Sequence, residues 1–407
     1  MKKKVLTMLF IIFLTGCRCP VRKTISSCTG KISAVFLIES DNCDDLDMMR
    51  TWLDSCHVSR AILVLCDIGT WSDNKTLAAL LDTSHYKVDT ILYSSPVIAV
   101  DSSMSEVSLS GNKMKFILPR EGSNAEFETN KYAFAGVDEA VAISSRNVLF
   151  LNNENPLYFN GLMSIPHFIN AVHDIGFDSV ICRDNILQGG DILSAGDHIF
   201  LGYNSLKRFS PKGKDTGEAK RAIRKLYGFN DSISIDFIIS PDSDLYHLDL
   251  FLTCTGQNTD GKYQFFIASI GQNVFAANRH AGPSLKVALD ELYPQFDSLL
   301  KLRFKDKYQL DRVPVFMDYY LLSPLNGITD CVNDSGLYYF PYPVGGLDHS
   351  EADSAQIKGI LDKAYSVMSK RIKVKKIGVD VQYMVYAPAS GAQSLHCMMS
   401  VIRRSSN

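Results

Sequence analysis

Leu187-Gln188-Gly189-Gly190-Asp191-Ile192-Leu193, continued by Ser194-Ala195-Gly196-Asp197-His198-Ile199-Phe200-Leu201-Gly202, is the stretch that decides the fold. Two short apolar runs, Ile192-Leu193 and Ile199-Phe200-Leu201, flank a glycine-bearing link, the pattern of a β-hairpin. Gly189-Gly190-Asp191 is turn chemistry leading into the first strand. The pattern recurs upstream, where residues 140–143 and 148–151 flank Ser-Arg-Asn. Around these hairpins the hydrophobic period alternates. Residues 34–38, 61–65 and 179–182 read as buried strands, and 45–56 and 165–175 as helices. Residues 218–227 predict a basic helix, followed by strands near 233–239, 248–253 and 264–270. Residues 284–292 read as helix and 338–340 as a strand stopped by Pro-Tyr-Pro. Ser350 with Asp353 opens a capped helix whose apolar face is Ile357, Ile360, Leu361, Ala364 and Met368. Residues 102–130 are polar and loop-like, with one strand expected at 115–118. A unit of helix, strand and hairpin repeats, and no linker rich in proline, glycine or serine divides it. The sequence therefore predicts one α/β domain of repeated modules over residues 33–407.

The first residues are expected to lie outside that domain. Met1-Lys2-Lys3-Lys4 is basic, residues 5–14 are apolar but too few to span a bilayer, and Leu14-Thr15-Gly16-Cys17 follows. This reads as a secretory signal over residues 1–17, with a tether over 18–32. Its ending resembles the lipobox of bacterial lipoproteins, which implies lipidation of Cys17 and a place in the cell envelope, anchored to a membrane through lipid alone. The plainer reading is an ordinary signal peptide with an incidental cysteine.

A formal net charge of -2 argues against a nucleic-acid partner, which normally selects a basic surface. The hydrophobic content of 46% is ample for a core. Ten cysteines show no repeated framework; Cys19, Cys28, Cys43 and Cys56 could pair, in an order that spacing leaves open. No paired CxxC or HxxxH points to a metal, and none is expected.

Near the C-terminus, Ala389-Ser390-Gly391-Ala392-Gln393-Ser394-Leu395-His396-Cys397 leads into an apolar run ending at Ile402. A turn that delivers a cysteine to the head of a strand puts its sulfur at an edge, where a substrate can reach it. Taken alone, a cysteine beside Met398 and Met399 reads as core filler. As a nucleophile it needs partners that lower its pKa.

Four stretches supply those partners by resemblance. Leu187 to Leu193 with Gly196, Phe200-Leu201-Gly202 and Ser205, His247-Leu248-Asp249, Gly391 to Met398, and Gly136-Val137-Asp138-Glu139-Ala140-Val141 resemble motifs of the guanidine-modifying enzymes, and their order along the chain matches. These include arginine, agmatine and peptidylarginine deiminases, glycine amidinotransferase and dimethylarginine hydrolase. The resemblance spans about residues 35–402 and implies the pentein fold, a five-bladed αβ propeller around a substrate pore. It implies that Asp138 and Asp249 bind a guanidinium, that Cys397 attacks its central carbon, and that His247 is the general acid and base. Leu325-Asn326-Gly327 resembles an asparagine-bearing loop of the agmatine and peptidylarginine enzymes, which implies that Asn326 binds substrate. No organic cofactor or metal is implied. The partner is a small-molecule or peptide guanidinium.

Plain structural readings stand beside these. Asp138 also reads as a solvated residue ahead of a strand, His247 as a surface histidine near Tyr246, and Leu325-Asn326-Gly327 as a plain turn. On a strand, His247 and Asp249 would share one face. Gln188 departs from the resemblance, because several of these enzymes place a carboxylate there to orient and charge the histidine. An amide orients an imidazole but does not stabilise its cation as a carboxylate does. The expected function is an exported, lipid-anchored guanidine deiminase. The alternatives are an amidinotransferase, or a non-catalytic relic that still binds guanidinium.

Overall fold

The repeat in the sequence is a repeat of sheets. The computed structural model describes side chains for residues 187, 189–210, 215–240, 245, 247–271, 285–316, 323–330, 336–343 and 355–378, and main chain alone for the remaining residues of the elements named below. Strands β1 (Lys31–Glu39), β2 (Arg60–Leu65) and β3 (Lys87–Tyr93) run parallel. The hairpin of β4 (Glu106–Leu109) and β5 (Asn112–Ile117) extends their sheet through β5. The polar segment therefore carries two strands where the sequence predicted one. Lys113 and Lys115 on β5, like Lys87 and Asp89 on β3, dilute the apolar signal.

β6 (Val141–Ile143) and β7 (Val148–Asn152) are the expected antiparallel hairpin, and β8 (Ser179–Arg183) returns parallel to β7. The same pattern is made by β9 (Ile192–Ala195), β10 (His198–Leu201) and β11 (Ser234–Phe237), with α1 (Tyr203–Phe209) and α2 (Thr216–Tyr227) in the crossover. β12 (Leu252–Gln257), β13 (Tyr263–Ser269) and β14 (Tyr308–Pro314) repeat it around α3 (Gly282–Phe304). After the short β15 (Phe316–Met317) and β16 (Leu321–Leu322), β17 (Ile328–Val332), β18 (Ser335–Pro343) and β19 (Lys373–Val379) repeat it around α4 (Glu351–Ser369). β20 (Val385–Tyr386) pairs with β16. The last strand, β21 (Met399–Arg404), lies antiparallel to β1, so β21, β1 and β2 reproduce the pattern from opposite ends of the chain.

β18 runs through Pro341 and Pro343, where the sequence predicted a stop. Its pairing with β17 ends at Tyr339, and beyond that, among the described residues, only β19 pairs with it. A proline is tolerated where one side of a strand has no ladder to serve.

Packing follows the sequence where the period is clear. Ile357, Ile360, Leu361, Ala364 and Met368 of α4 are all buried, as predicted. α2 is capped by the Asp215 carboxylate, which accepts from Glu218 N at 2.9 Å, and ends at Gly228 with φ +64°. Its Ala219, Ile223 and Tyr227 face inward at helical spacing. The modules of β9–β11 and β12–β14 share an aromatic cluster: Phe200 meets Phe265 and Phe296 edge-on, with centroids 6.1 and 5.5 Å away. Arg303 of α3 grips Asp236 of β11 through two hydrogen bonds of 2.6 and 2.7 Å. Three of the modules' first strands lie side by side, β12 touching both β9 and β17, and β17 also touches β1, the middle strand of its module. What precedes β9, β12 and β17 is thereby gathered toward one region.

Candidate active site

Every stretch singled out for chemistry ends within five residues of a module's first strand. Asp138 precedes Val141 of β6, Gln188 precedes Ile192 of β9, and His247 and Asp249 precede Leu252 of β12. Asn326 precedes Ile328 of β17, and Cys397 precedes Met399 of β21. Of these, His247, Asp249 and Asn326 fall among the described residues; Asp138, Gln188, Cys397 and Cys17 lie outside them.

His247 and Asp249 are not on a strand. Leu248–Leu250 is a turn of 3-10 helix, closed by Phe251 N donating to Leu248 O at 3.1 Å, and β12 starts only at Leu252. The apolar run Leu248, Leu250, Phe251 and Leu252 is buried throughout, and burial on every side reads like a strand from sequence alone. The turn therefore replaces the shared strand face as the device that places the two side chains. Both are buried, His247 at 4% and Asp249 at 8% relative exposure.

Asn326 comes to this turn from the next module. Its Nδ2 donates to Asp249 Oδ2 at 2.8 Å, and the residue is 1% exposed. Residues 324–326 form a turn, and its Asn326 side chain reaches the Asp249 carboxylate. The loop is itself fixed. Tyr338 of β18 donates its hydroxyl to Pro324 O at 2.9 Å and accepts from Gly327 N at 2.8 Å. Gly327 is required by close approach. A Cβ there would lie 2.3 Å from Tyr339 O and 2.7 Å from the Tyr338 hydroxyl. Burial pushes the Tyr338 phenol well above its usual range, hydrogen bonds from Gly327 and Thr253 offset part of this, and the charge of Asp249 adds to the rise.

The Gly189–Asp191 stretch forms a second 3-10 turn, packed against the His247–Asp249 turn. Its start is pinned by Leu187 N donating to Tyr227 Oη at 2.7 Å. Asp191 then ties the two ends of its hairpin together. Its backbone oxygen accepts from Gly202 N at 3.1 Å, and its Oδ2 accepts from Ser205 N at 2.7 Å. Gly202 is the residue that begins α1 and has no side chain to cap it, so the Asp191 carboxylate does the capping from across the hairpin. A side chain at 202 would put its Cβ 1.7 Å from Asp191 Oδ1. This explains the spacing of Gly-Gly-Asp, Gly202 and Ser205, which the sequence displayed without a reason.

Burial pushes the Asp191 carboxyl up to about 7, hydrogen bonding from Ser205 opposes the rise, and the neighbouring Asp249 adds to it. The folded carboxyl thus holds its proton more tightly than the unfolded one, whose pKa is about 4. Its contribution to stability is full below about pH 4 and is lost as pH rises toward 7. Asp191→Asn removes that dependence. The melting-temperature difference, wild type minus variant, should shrink between pH 5 and pH 8; a constant difference would show that the carboxyl is ionised throughout.

Tyr338, Asp191, Ser205 and Tyr227 are the parts of the site that sequence reasoning missed or left unexplained. Tyr338 and Tyr227 read as core aromatics, and only their hydroxyl partners reveal a positioning task.

The mixed α/β fold of small sheets has solved counterparts. It matches a crystal structure assigned provisionally as a peptidyl-arginine deiminase, with a TM-score of 0.54 at 12% identity, covering 94% of this chain and 99% of that one. The agmatine deiminase of C. jejuni gives a TM-score of 0.49 at 12% identity, covering 94% of this chain and 96% of that one. No protein-family model matches the sequence, and no curated protein matches it. The resemblance expected from the motifs is borne out at the level of the fold.

Proposed function

We propose that the protein is an exported, lipid-anchored guanidine deiminase, which converts an arginine-like guanidinium and water into a ureido group and ammonium. The observation that carries this reading is the buried Asp249 carboxylate, braced by Asn326 on the turn that also holds His247. A guanidinium is planar, permanently charged and rich in donors, and a fixed carboxylate meets it with charge-assisted bonds. In this reading Asp249 and Asp138 take two edges of the cation. The Cys397 thiolate attacks the central carbon. His247 protonates the leaving nitrogen, the C–N bond breaks, and ammonia departs, leaving an amidino-thioether on sulfur. His247 then takes a proton from water as the water attacks, the C–S bond breaks, and the thiolate returns. Each group in these steps is a side chain of this chain, substrate or water.

The same reading arranges the modules as five blades around a substrate pore. It is supported by five occurrences of an antiparallel strand pair extended by a parallel strand and by the side-by-side packing of β9, β12 and β17. Lipid anchoring rests on the Leu-Thr-Gly-Cys ending of the leader. A single acylated cysteine holds a chain to a membrane with no spanning helix. Cys17→Ser should move the protein from the membrane fraction to the soluble one; unchanged fractionation counts against lipidation.

Gln188 favours a second reading, in which the protein binds guanidinium without turning it over. A colour assay for ureido product separates the two, with arginine, agmatine and an arginine peptide across pH 5 to 9. The enzyme reading expects product from wild type on at least one, and a shifted pH profile in Gln188→Glu. Binding without product in wild type, with product gained in Gln188→Glu, would sink it. An amidinotransferase would instead release the substrate's amine and give no ureido compound.

A further inference from the structure

We propose that Tyr338 and Asn326 are positioning residues for substrate binding, acting in series on Asp249 rather than touching substrate themselves; the inference rests on the guanidinium-binding reading above. The series is on one line of hydrogen bonds. The Tyr338 hydroxyl donates to Pro324 O and accepts from Gly327 N, clamping the two ends of the segment that carries Asn326. Between those clamps Asn326 Nδ2 donates to Asp249 Oδ2. Tyr338 is 0% exposed and Asn326 1%, so no step in the series is open to solvent. Asn326 stands on the loop ahead of β17 and Asp249 on the turn ahead of β12, so the link crosses from one module to the next.

The physical argument concerns rotamers. A buried carboxylate without a brace samples several χ angles, and a guanidinium donates its bidentate bonds in one plane only. Asn326 removes that freedom from Asp249. The Asn326 amide is aimed only if its loop is held, and the loop is short, ends in Gly327, and has Tyr338 as the side chain that holds both its ends. The phenol ring alone would fill the same volume. The hydroxyl is what the positioning needs, and Tyr338→Phe removes it while keeping the ring.

Steady-state kinetics and crystal structures of wild type, Tyr338→Phe, Asn326→Ala and the double variant test this, using arginine, agmatine and an arginine peptide. Each single variant should raise KM by roughly tenfold with kcat within about twofold, because the carboxylate is displaced while the chemistry is left in place. The double variant should do no worse than the poorer single, since both act through one bond. In Tyr338→Phe the Asn326–Asp249 contact should open. Effects that multiply to roughly a hundredfold, an Asn326–Asp249 contact that persists in Tyr338→Phe, or kinetics equal to wild type each overturn the proposal while leaving the deiminase reading intact. A lower melting temperature with unchanged KM makes Tyr338 structural only and overturns it too. Wild-type protein that neither binds nor converts any of the three compounds overturns the guanidinium reading, and this inference with it.

Discussion

Asp249→Asn is expected to abolish ureido formation and leave the protein folded. Deleting one carboxylate from a buried guanidinium pair costs about 2–5 kcal/mol of binding. That corresponds to a loss of roughly thirtyfold to a few thousandfold before any misalignment is counted. The fold should survive for a geometric reason. Asp249 accepts from Asn326 Nδ2, and an amide oxygen at position 249 accepts the same bond. The turn Leu248–Leu250 is held by its own backbone and by the buried Leu248, Leu250 and Phe251, none of which the substitution touches. Product formation and a thermal melt on the same preparation decide the matter. A variant without a cooperative melting transition makes Asp249 a structural residue.

The second large effect concerns Cys397. A chloroacetamidine-type reagent carries an amidine that mimics the substrate cation, so binding delivers it to the nucleophile. Peptide mapping after brief labelling should find the adduct on Cys397, and Cys397→Ala should lose product formation entirely. Cys254 is the informative comparison. It sits within β12, only a few residues beyond Asp249, yet is 2% exposed in the sheet. A buried thiol in apolar surroundings keeps its proton and reacts slowly. Label on Cys182 or Cys254 with Cys397 unmodified would falsify the assignment.

How much of this was legible beforehand differs from residue to residue. The hairpin after Gly189-Gly190-Asp191 was legible because alternation and a glycine-bearing turn are local signals, and β9 and β10 pair there. The face of α4 was legible because its period is helical and its burial one-sided. His247 and Asp249 were legible as residue types, but their element was misread, because an apolar run buried on all sides carries no period. Asn326 was legible as a turn former and, by resemblance, as a substrate-binding residue, but not as a partner of Asp249. Its partner lies 77 residues away, and no local signal reports a contact at that separation. Tyr338 was hidden most completely. Its ring satisfies every expectation of a core aromatic, and its hydroxyl acts on a loop that closes only in the folded chain. Asp191 read as turn chemistry and proved to be a helix cap reaching across its own hairpin.

The pairing of β1 with β21 has a consequence for the order in which the molecule is made. Lys31 opposes Arg404 and Leu37 opposes Met399, so one edge of β1 waits for a strand far along the chain. The other modules complete themselves from contiguous sequence as it is synthesised; this one does not. Until β21 arrives, β1 offers an unsatisfied edge, the kind that recruits a neighbouring chain. The strand that arrives last follows directly on Cys397 in the chain. A nascent polypeptide therefore has the turns that carry His247, Asp249 and Asn326 before it has β21. In the proposed reading, assembly acts as a safety catch: the thiol would join the turns of His247 and Asn326 only once β21 has paired with β1.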